Sequence, residues 1–553
     1  MSKNILGSSL ENASLNIVFQ IFCRLLTFIL NAFVVRYVGQ EILGVMNVRL
    51  LLLESTILFL SREPFFKACL TNTAEHNWAQ VVNLLWLTVP LCGVMSIFFG
   101  YIWLYKLPMS DGLPADYAFA VFSVALSCII HMSSLVVQLI SVAFLFNGFK
   151  IIVDTLMIVF RTILFVSMIL YKAENALFAF SVAQLASTLF YTISHYIFFY
   201  WYIKKIDNDK KKIKKYEIPM NNENIDDNFD NEFPFKSIFE FLPGYMNNRD
   251  STFDNKLVIL TWSFFRQGFL KQILTEGERM IMTVIPVLTF AQQGTYEIIN
   301  NLGSLAARFI FRPIEDSGYF YFTQMVKRDE KINQQNPSKI QESVEVLTNL
   351  CAIVTSIGFI VLVFGQSYSS TLLWIYGGDK FTEYLPVLLL RAHCLAVLLL
   401  GINGVTECYT NATADSATIN KSNLTMIYQS IIFLGASCIL VYILGPVGFI
   451  LGNCINMSLR IFHSVSFINE RHHDTNLKPL DGIYPKRLFS ILLVVSGLVT
   501  TITQYYSMWI HLIVGTIMFA CVMSSWMYEH KELVILGIKK LRKRRNQRLS
   551  KND

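Results

Sequence analysis

Arg266, Lys271, Glu276, Glu278 and Arg279 share one stretch, SFFRQGFLKQILTEGERMIMT (263–283), whose other residues are mostly apolar. A charged side chain surrounded by hydrocarbon costs roughly 2.5–3.5 kcal/mol on insertion scales, so it persists where a partner or an aqueous cavity meets it. Ser263, Gln267, Lys271, Thr275 and Glu278 follow one another at intervals of three or four residues, which puts them on one face of a helix. Two other apolar stretches repeat the device, one with Asn16, Gln20, Arg24, Thr27 and Asn31, the other with Glu297, Asn301, Ser304, Arg308 and Arg312. Within the apolar stretches the basic residues are Arg24, Arg49, Arg161, Arg266, Lys271, Arg279, Arg308, Arg391 and Arg460, against the acids Glu54, Asp154, Glu276, Glu278 and Glu297. An interior with surplus fixed cations is suited to an anion.

Several of these charges also have structural readings. Asp154 and Arg161 lie seven residues apart on one helical face and read as an ion pair. Glu276, Glu278 and Arg279 neutralise one another, holding or gating their helix. Arg62 and Glu63 fall at a span end and read as interfacial anchors or gating charges.

These residues need elements to position them, and composition says which. The chain of 553 residues is 54% hydrophobic and 15% charged, with a mean hydropathy of +0.46. That is too apolar for a soluble protein of this length. Continuous apolar runs of about 20 residues, each enough for one helical crossing, recur about fourteen times. An all-α polytopic membrane protein is expected, because a transmembrane barrel would show short alternating segments instead. With Met1 in the cytosol, 33 Lys and Arg fall on that side and four (Arg36, Lys106, Lys172 and Lys380) on the other. This bias predicts that both termini are cytosolic.

The polar, Asn/Asp/Lys-rich stretch 204–256 reads as a cytosolic linker. It separates an N-terminal six-helix lobe (1–203) from a C-terminal one (257–470), followed by a helix pair (471–528) and a basic tail (529–553). In the 295–312 span, Arg312 and Pro313 are expected to stop the helix. No GxxxxGK[ST], HExxH or metal-spaced Cys/His cluster occurs, so ATP hydrolysis, metal and nucleic-acid chemistry are not expected. No cysteine falls in a non-cytosolic loop on this topology, and a disulfide framework is not expected. The sequons at Asn12, Asn411, Asn420, Asn423 and Asn456 lie on cytosolic stretches or inside spans and are predicted to be unmodified.

The runs RLLTFILNAFVVRYVG (24–39), LGVMNVRLLLLEST (43–56), FLSREPFFKACL (59–70), NLLWLTVPL (83–91), LTWSFFRQGFLKQILTEGER (260–279), NNLGSLAARFIFRPIE (300–315), INGVTEC (402–408) and GFILGNCINMSLRI (448–461) closely resemble the Rft family of endoplasmic-reticulum membrane proteins. The resemblance runs from end to end, fading in the 206–256 linker and after about 470. It implies a fold of the multidrug/oligosaccharidyl-lipid/polysaccharide exporter type, with two pseudo-symmetric lobes around a central cavity. It also implies a role in moving a dolichyl-diphosphate-linked heptasaccharide, Man5GlcNAc2, from the cytosolic to the lumenal leaflet, as a flippase or as a non-transporting chaperone or regulator of that pathway. The partners expected are this glycolipid, ER membrane lipids and ER glycosylation-pathway proteins, with no cofactor.

For such a ligand the residues divide by chemistry. Arg24, Lys271, Arg308 and Arg49 are the candidates for the diphosphate, since cations give charge-assisted hydrogen bonds. Asn16, Gln20, Asn31, Gln267 and Asn301 are the candidates for the sugars. Gly277 and Pro286 are candidate bend points. A cation-coupled drug exporter would instead carry an acid-dominated interior. A dolichol-dependent glycosyltransferase would need acids in a sizeable lumenal loop, and the first such loop is only VGQEI (38–42). No enzyme activity is expected.

Overall fold

The computed structural model describes residues 26, 28–71, 76–107, 116–144, 146–216, 233–246, 252–285, 287–305, 307–328, 330–475, 477–532 and 535. The described elements are helices: α1 (Phe28–Tyr37), α2 (Gln40–Cys69), α3 (Trp78–Tyr105), α4 (Tyr117–Ser133), α5 (Leu135–Ala143), α6 (Asn147–Tyr171), α7 (Ala176–Tyr216) and α8 (Asn255–Val284). They continue as α9 (Phe290–Gly303), α10 (Arg312–Met325), α11 (Pro337–Gly377), α12 (Tyr384–Thr413), α13 (Ser416–Leu444), α14 (Val447–Arg471), α15 (Arg487–Thr503) and α16 (Met508–Glu529). Among the described residues, nine helices are long and apolar enough to cross a membrane, or ten if α4 and α5, bent by 46°, form one crossing. The chain is therefore a multi-pass α-helical membrane protein. The stretches expected to span but outside that set are α8, which carries six charged side chains from Lys256 to Arg279, the charged α14, the short α1 and the broken α9 to α10 region.

Contacts divide the chain into two compact units, Met1–Gly294 and Thr295–Asp553. In the first unit, α2 packs against α3, α4 and α8, while α7 packs against α4 and α6. Glycine sets one of these approaches. A Cβ on Gly44 would lie 2.0 Å from the Phe290 carbonyl oxygen, and one on Gly294 would lie 2.2 Å from that of Gln40, so only hydrogen at both positions lets the two backbones touch. Part of the 204–256 stretch is docked in this unit: Phe235 and Phe241 are buried, and the Trp86 indole donates to the Phe241 carbonyl at 2.7 Å. Aromatic residues of FPFKSIFEF (233–241) pack on Trp78, Phe144 and Phe199.

In the second unit, α12 packs against α10, α11 and α14, and α13 against α14. Phe311, Phe322, Leu347, Val354, Val405, Tyr409 and Ile468 form its core. The terminal pair α15 and α16 docks on α11, where Phe489, Leu493 and Val522 meet Phe359, Ile360 and Val363. Hydrogen bonds fix that seating, from the Trp526 indole to Ser356 Oγ at 2.9 Å and from the Tyr368 hydroxyl to the His511 carbonyl at 2.6 Å.

The helix stop expected at Pro313 is overturned. Pro313 lies in the first turn of α10, directly after a π-helical segment Ala307–Phe311, and the helix runs on to Met325. In a first turn the N–H that proline lacks is not needed by the ladder, so the residue is tolerated. At the expected bend points, α8 runs unbroken through Gly277, and Pro286 lies outside the described residues.

Candidate functional site

In the first unit the charged residues meet polar residues that the charge inventory had passed over. Gln184 on α7 donates to Glu54 Oε1 of α2 at 2.8 Å and accepts from Arg161 Nη1 of α6 at 2.9 Å. One buried amide thus ties together helices two, six and seven, with both its ends used. The expected Asp154–Arg161 ion pair is therefore overturned. Asp154 is held by Lys150 Nζ at 2.5 Å, one turn earlier on α6, and by the Tyr191 hydroxyl at 2.8 Å. Ridge geometry explains the change: residues seven apart share a face but stand two turns, about 10 Å, apart along the axis, whereas α7 offers nearer partners to each.

Arg62 donates to Gln138 Oε1 of α5 at 3.2 Å and lies 3.9 Å from Glu63 Oε1. Arg279 pairs with Glu276 at 2.9 Å on α8, and Glu278 is half-buried nearby. Arg49 is 3% exposed, with its guanidinium 4.6 Å from the centre of the Phe290 ring. Its carbonyl, in the π-helical turn Val45–Leu50 of α2, accepts from the Trp103 indole at 2.9 Å. A π turn displaces the i→i+4 ladder and leaves carbonyls for such use. Arg49 is thus packed against protein on several sides.

In the second unit Arg460 of α14 donates to Glu407 Oε1 of α12 at 2.6 Å, and Asn403 Nδ2 donates to Glu407 Oε2 at 3.1 Å. Glu407 was missed because the apolar run of its helix ends near 406, while α12 itself continues to Thr413. Arg391 donates through Nε to the Gln366 carbonyl at 2.8 Å. Five intramembrane cations thus have described protein surroundings: Arg49, Arg161, Arg279, Arg391 and Arg460. Gln184 was missed because only polar stripes that carry an Arg, Lys or Glu were weighed, although Gln184, Thr188, Tyr191 and His195 form a polar stripe at helical spacing.

Of the remaining candidates, Arg266 is exposed on α8, Asn31 is exposed on α1 and Asn301 is exposed on α9, while Glu297 of α9 is buried. Asn16, Gln20 and Arg24 lie outside the described residues, as do the side chains of Gln267, Lys271 and Arg308. The nine described cysteines are all free.

The model of the family described as Rft protein matches residues 8–540. The chain belongs to the Rft family. A relative in Drosophila melanogaster, the Man(5)GlcNAc(2)-PP-dolichol translocation protein RFT1, is 44% identical over 97% of this chain and 98% of its own. Among solved structures, the lipid II flippase MurJ in an inward closed conformation matches 93% of this Rft-family chain and 99% of its own, with a TM-score of 0.58 at 12% identity. A multidrug resistance MATE transporter of the MOP superfamily in an inward-facing conformation matches 81% and 96%, with a TM-score of 0.53 at 11% identity. At such identities the likeness is one of fold, and it is the exporter-type fold that the family resemblance implied.

Proposed function

We propose that this Rft-family protein translocates Man5GlcNAc2-diphosphate-dolichol from the cytosolic to the lumenal leaflet of the endoplasmic-reticulum membrane, with both its termini in the cytosol. The observation that carries the proposal is the near-complete alignment, at 44% identity, with a protein named for the translocation of that glycolipid. The chemistry of the chain supports it. A diphosphate is matched by intramembrane cations, sugars by amides, and a polyprenyl tail by the apolar helix surfaces that face lipid. With five of the intramembrane cations in protein contacts, Arg24, Lys271 and Arg308 are the set assigned to the diphosphate, and Asn16, Gln20, Asn31, Gln267 and Asn301 to the sugars. Arg49, packed under Phe290, is assigned to holding α2. No catalytic step is part of this reading.

The test is reconstitution of the purified chain in liposomes with a fluorescent short-chain Man5GlcNAc2-diphosphate-polyprenol. Transfer between leaflets that depends on protein and falls about tenfold or more in Arg24→Ala and Lys271→Ala supports the proposal, since each loses a charge-assisted bond of about 1.5–3 kcal/mol. Rates equal to protein-free liposomes, alongside rescue of N-glycosylation in cells lacking the endogenous protein, would establish the non-transporting chaperone reading instead.

A further inference from the structure

The second unit holds a polar cavity of about 580 Å³ apart from the residues discussed so far, lined among others by Lys331, Thr418, Lys421, Ser422, Glu470 and Arg471. It is formed where the first turns of α13 meet the last turns of α14 and the loop 331–333. Two observations give it a ligand chemistry. Lys331 and Lys421 are exposed there, and Arg471 adds a third cation, whose Nε is buried without a hydrogen-bond partner and whose Nη2 donates to the Lys327 carbonyl at 2.8 Å; Glu470 and Asp474 set two carboxylates against these three cations. Ser422, 8% exposed, also has its Oγ buried without a partner. A hydroxyl left unsatisfied at that depth is costly unless a ligand or water completes it.

We propose that this cavity binds a phosphorylated polyol headgroup. The cations Lys331, Lys421 and Arg471 take the phosphate, and Ser422 and Thr418 take remaining phosphate oxygens or ring hydroxyls. Glu470 accepts from ring hydroxyls and sets a preference for a polyol ester over a bare phosphate. The volume lies within the range of small-molecule sites, roughly 300–1,000 Å³, and accommodates a ring plus its phosphate. The cavity opens at the end of the bundle bearing Lys327, Arg328, Lys331, Lys339, Lys421 and Arg471, the end that the charge bias assigns to the cytosol. The proposal does not depend on the glycolipid translocation reading, because none of these residues is assigned to the diphosphate of that substrate.

The test is titration of the full-length protein in phosphatidylcholine nanodiscs with myo-inositol 1-phosphate, with unphosphorylated inositol and inorganic phosphate as comparators. A parallel arm uses native mass spectrometry of nanodiscs that contain phosphatidylinositol. The expected result is binding of the phosphate ester tighter than of either comparator, weakened about tenfold or more by Lys421→Glu and by Lys331→Glu. Both side chains are exposed, so the variants keep the wild-type melting temperature. Retention of phosphatidylinositol over phosphatidylcholine names a lipid headgroup as the source of the ligand, and binding of the free ester alone names a soluble phosphosugar; either supports the site. Binding unchanged in both charge-reversed variants, or no tighter for the ester than for inositol or phosphate, overturns it.

Discussion

Gln184 does what a charge inventory leaves to ion pairs: its amide oxygen takes Arg161 and its amide nitrogen serves Glu54. Replacing it by leucine removes both partners' bonds at once and leaves a guanidinium and a carboxylate half-satisfied in low dielectric. Gln184→Leu should therefore lower stability by about 3 kcal/mol, measured as protein abundance in cells and melting temperature in detergent, and Gln184→Glu, which keeps the acceptor for Arg161 but sets a second carboxyl group against that of Glu54, should also cost stability. Asp154→Asn and Arg161→Gln, having separate partners, should add rather than rescue one another. His472, just past the end of α14, offers a pH probe. Burial, with Arg471 beside it, pushes its imidazole down to about 4, and its Nε2 lies within hydrogen-bond distance, 2.8 Å, of the Tyr409 hydroxyl. The unfolded chain binds a proton on this side chain below about 6.5, while the folded one does so only near 4. The unfolded state thus holds more protons in that window, and stability falls as pH drops from about 6.5 toward 4, by at most about 3 kcal/mol. The slope of melting temperature against pH should be shallower in His472→Gln; an unchanged slope would remove His472 from the account.

At the scale of elements, the decisive contact is that of α2 with the first turn of α9, where backbone meets backbone at Gly44 and Gly294. A methyl group at Gly44 would lie 2.0 Å from the Phe290 carbonyl oxygen, and no rotamer can relieve a Cβ clash with main chain. Gly44→Ala should force the helices apart, cost about 1–3 kcal/mol and loosen the seat of Phe290 beneath Arg49. Gly39→Ala, where a Cβ meets nothing within 4 Å, is the matched control and should be near neutral. A melting temperature for Gly44→Ala equal to that of Gly39→Ala would show that the approach is looser than described. The existence of nearly every helix was legible in advance, because an apolar run long enough to cross a bilayer has few alternatives to a helix once water is gone. Helix ends were not. Pro313 breaks a ladder in the interior of a helix but not in a first turn, and only the π segment before it tells which of the two applies.

For the molecule as a whole, the segregation of basic residues predicts both termini on the cytosolic face, and the sequons at Asn411, Asn420 and Asn423 lie at that same end of the second unit. Native protein should show no mobility shift on endoglycosidase treatment, and an epitope at either terminus should be accessible only after the plasma membrane is selectively permeabilised. A shift, or protection of the epitope inside microsomes, would invert the layout. Class and family were readable from the chain by itself: hydropathy is a sum over neighbours in sequence, and the motifs are contiguous. What only the tertiary structure decided is which side chain answers which charge. Asp154 could reach Arg161 by sequence spacing and instead meets Lys150 and Tyr191, and Arg460 is answered by Glu407, on another helix, 2.6 Å away. The stretch 204–256 read as polar linker, yet Phe235 and Phe241 of it are buried. The physical reason is common to these cases: a hydrogen bond or an aromatic contact depends on a few ångströms between residues tens or hundreds of positions apart, and that distance is set by how helices pack.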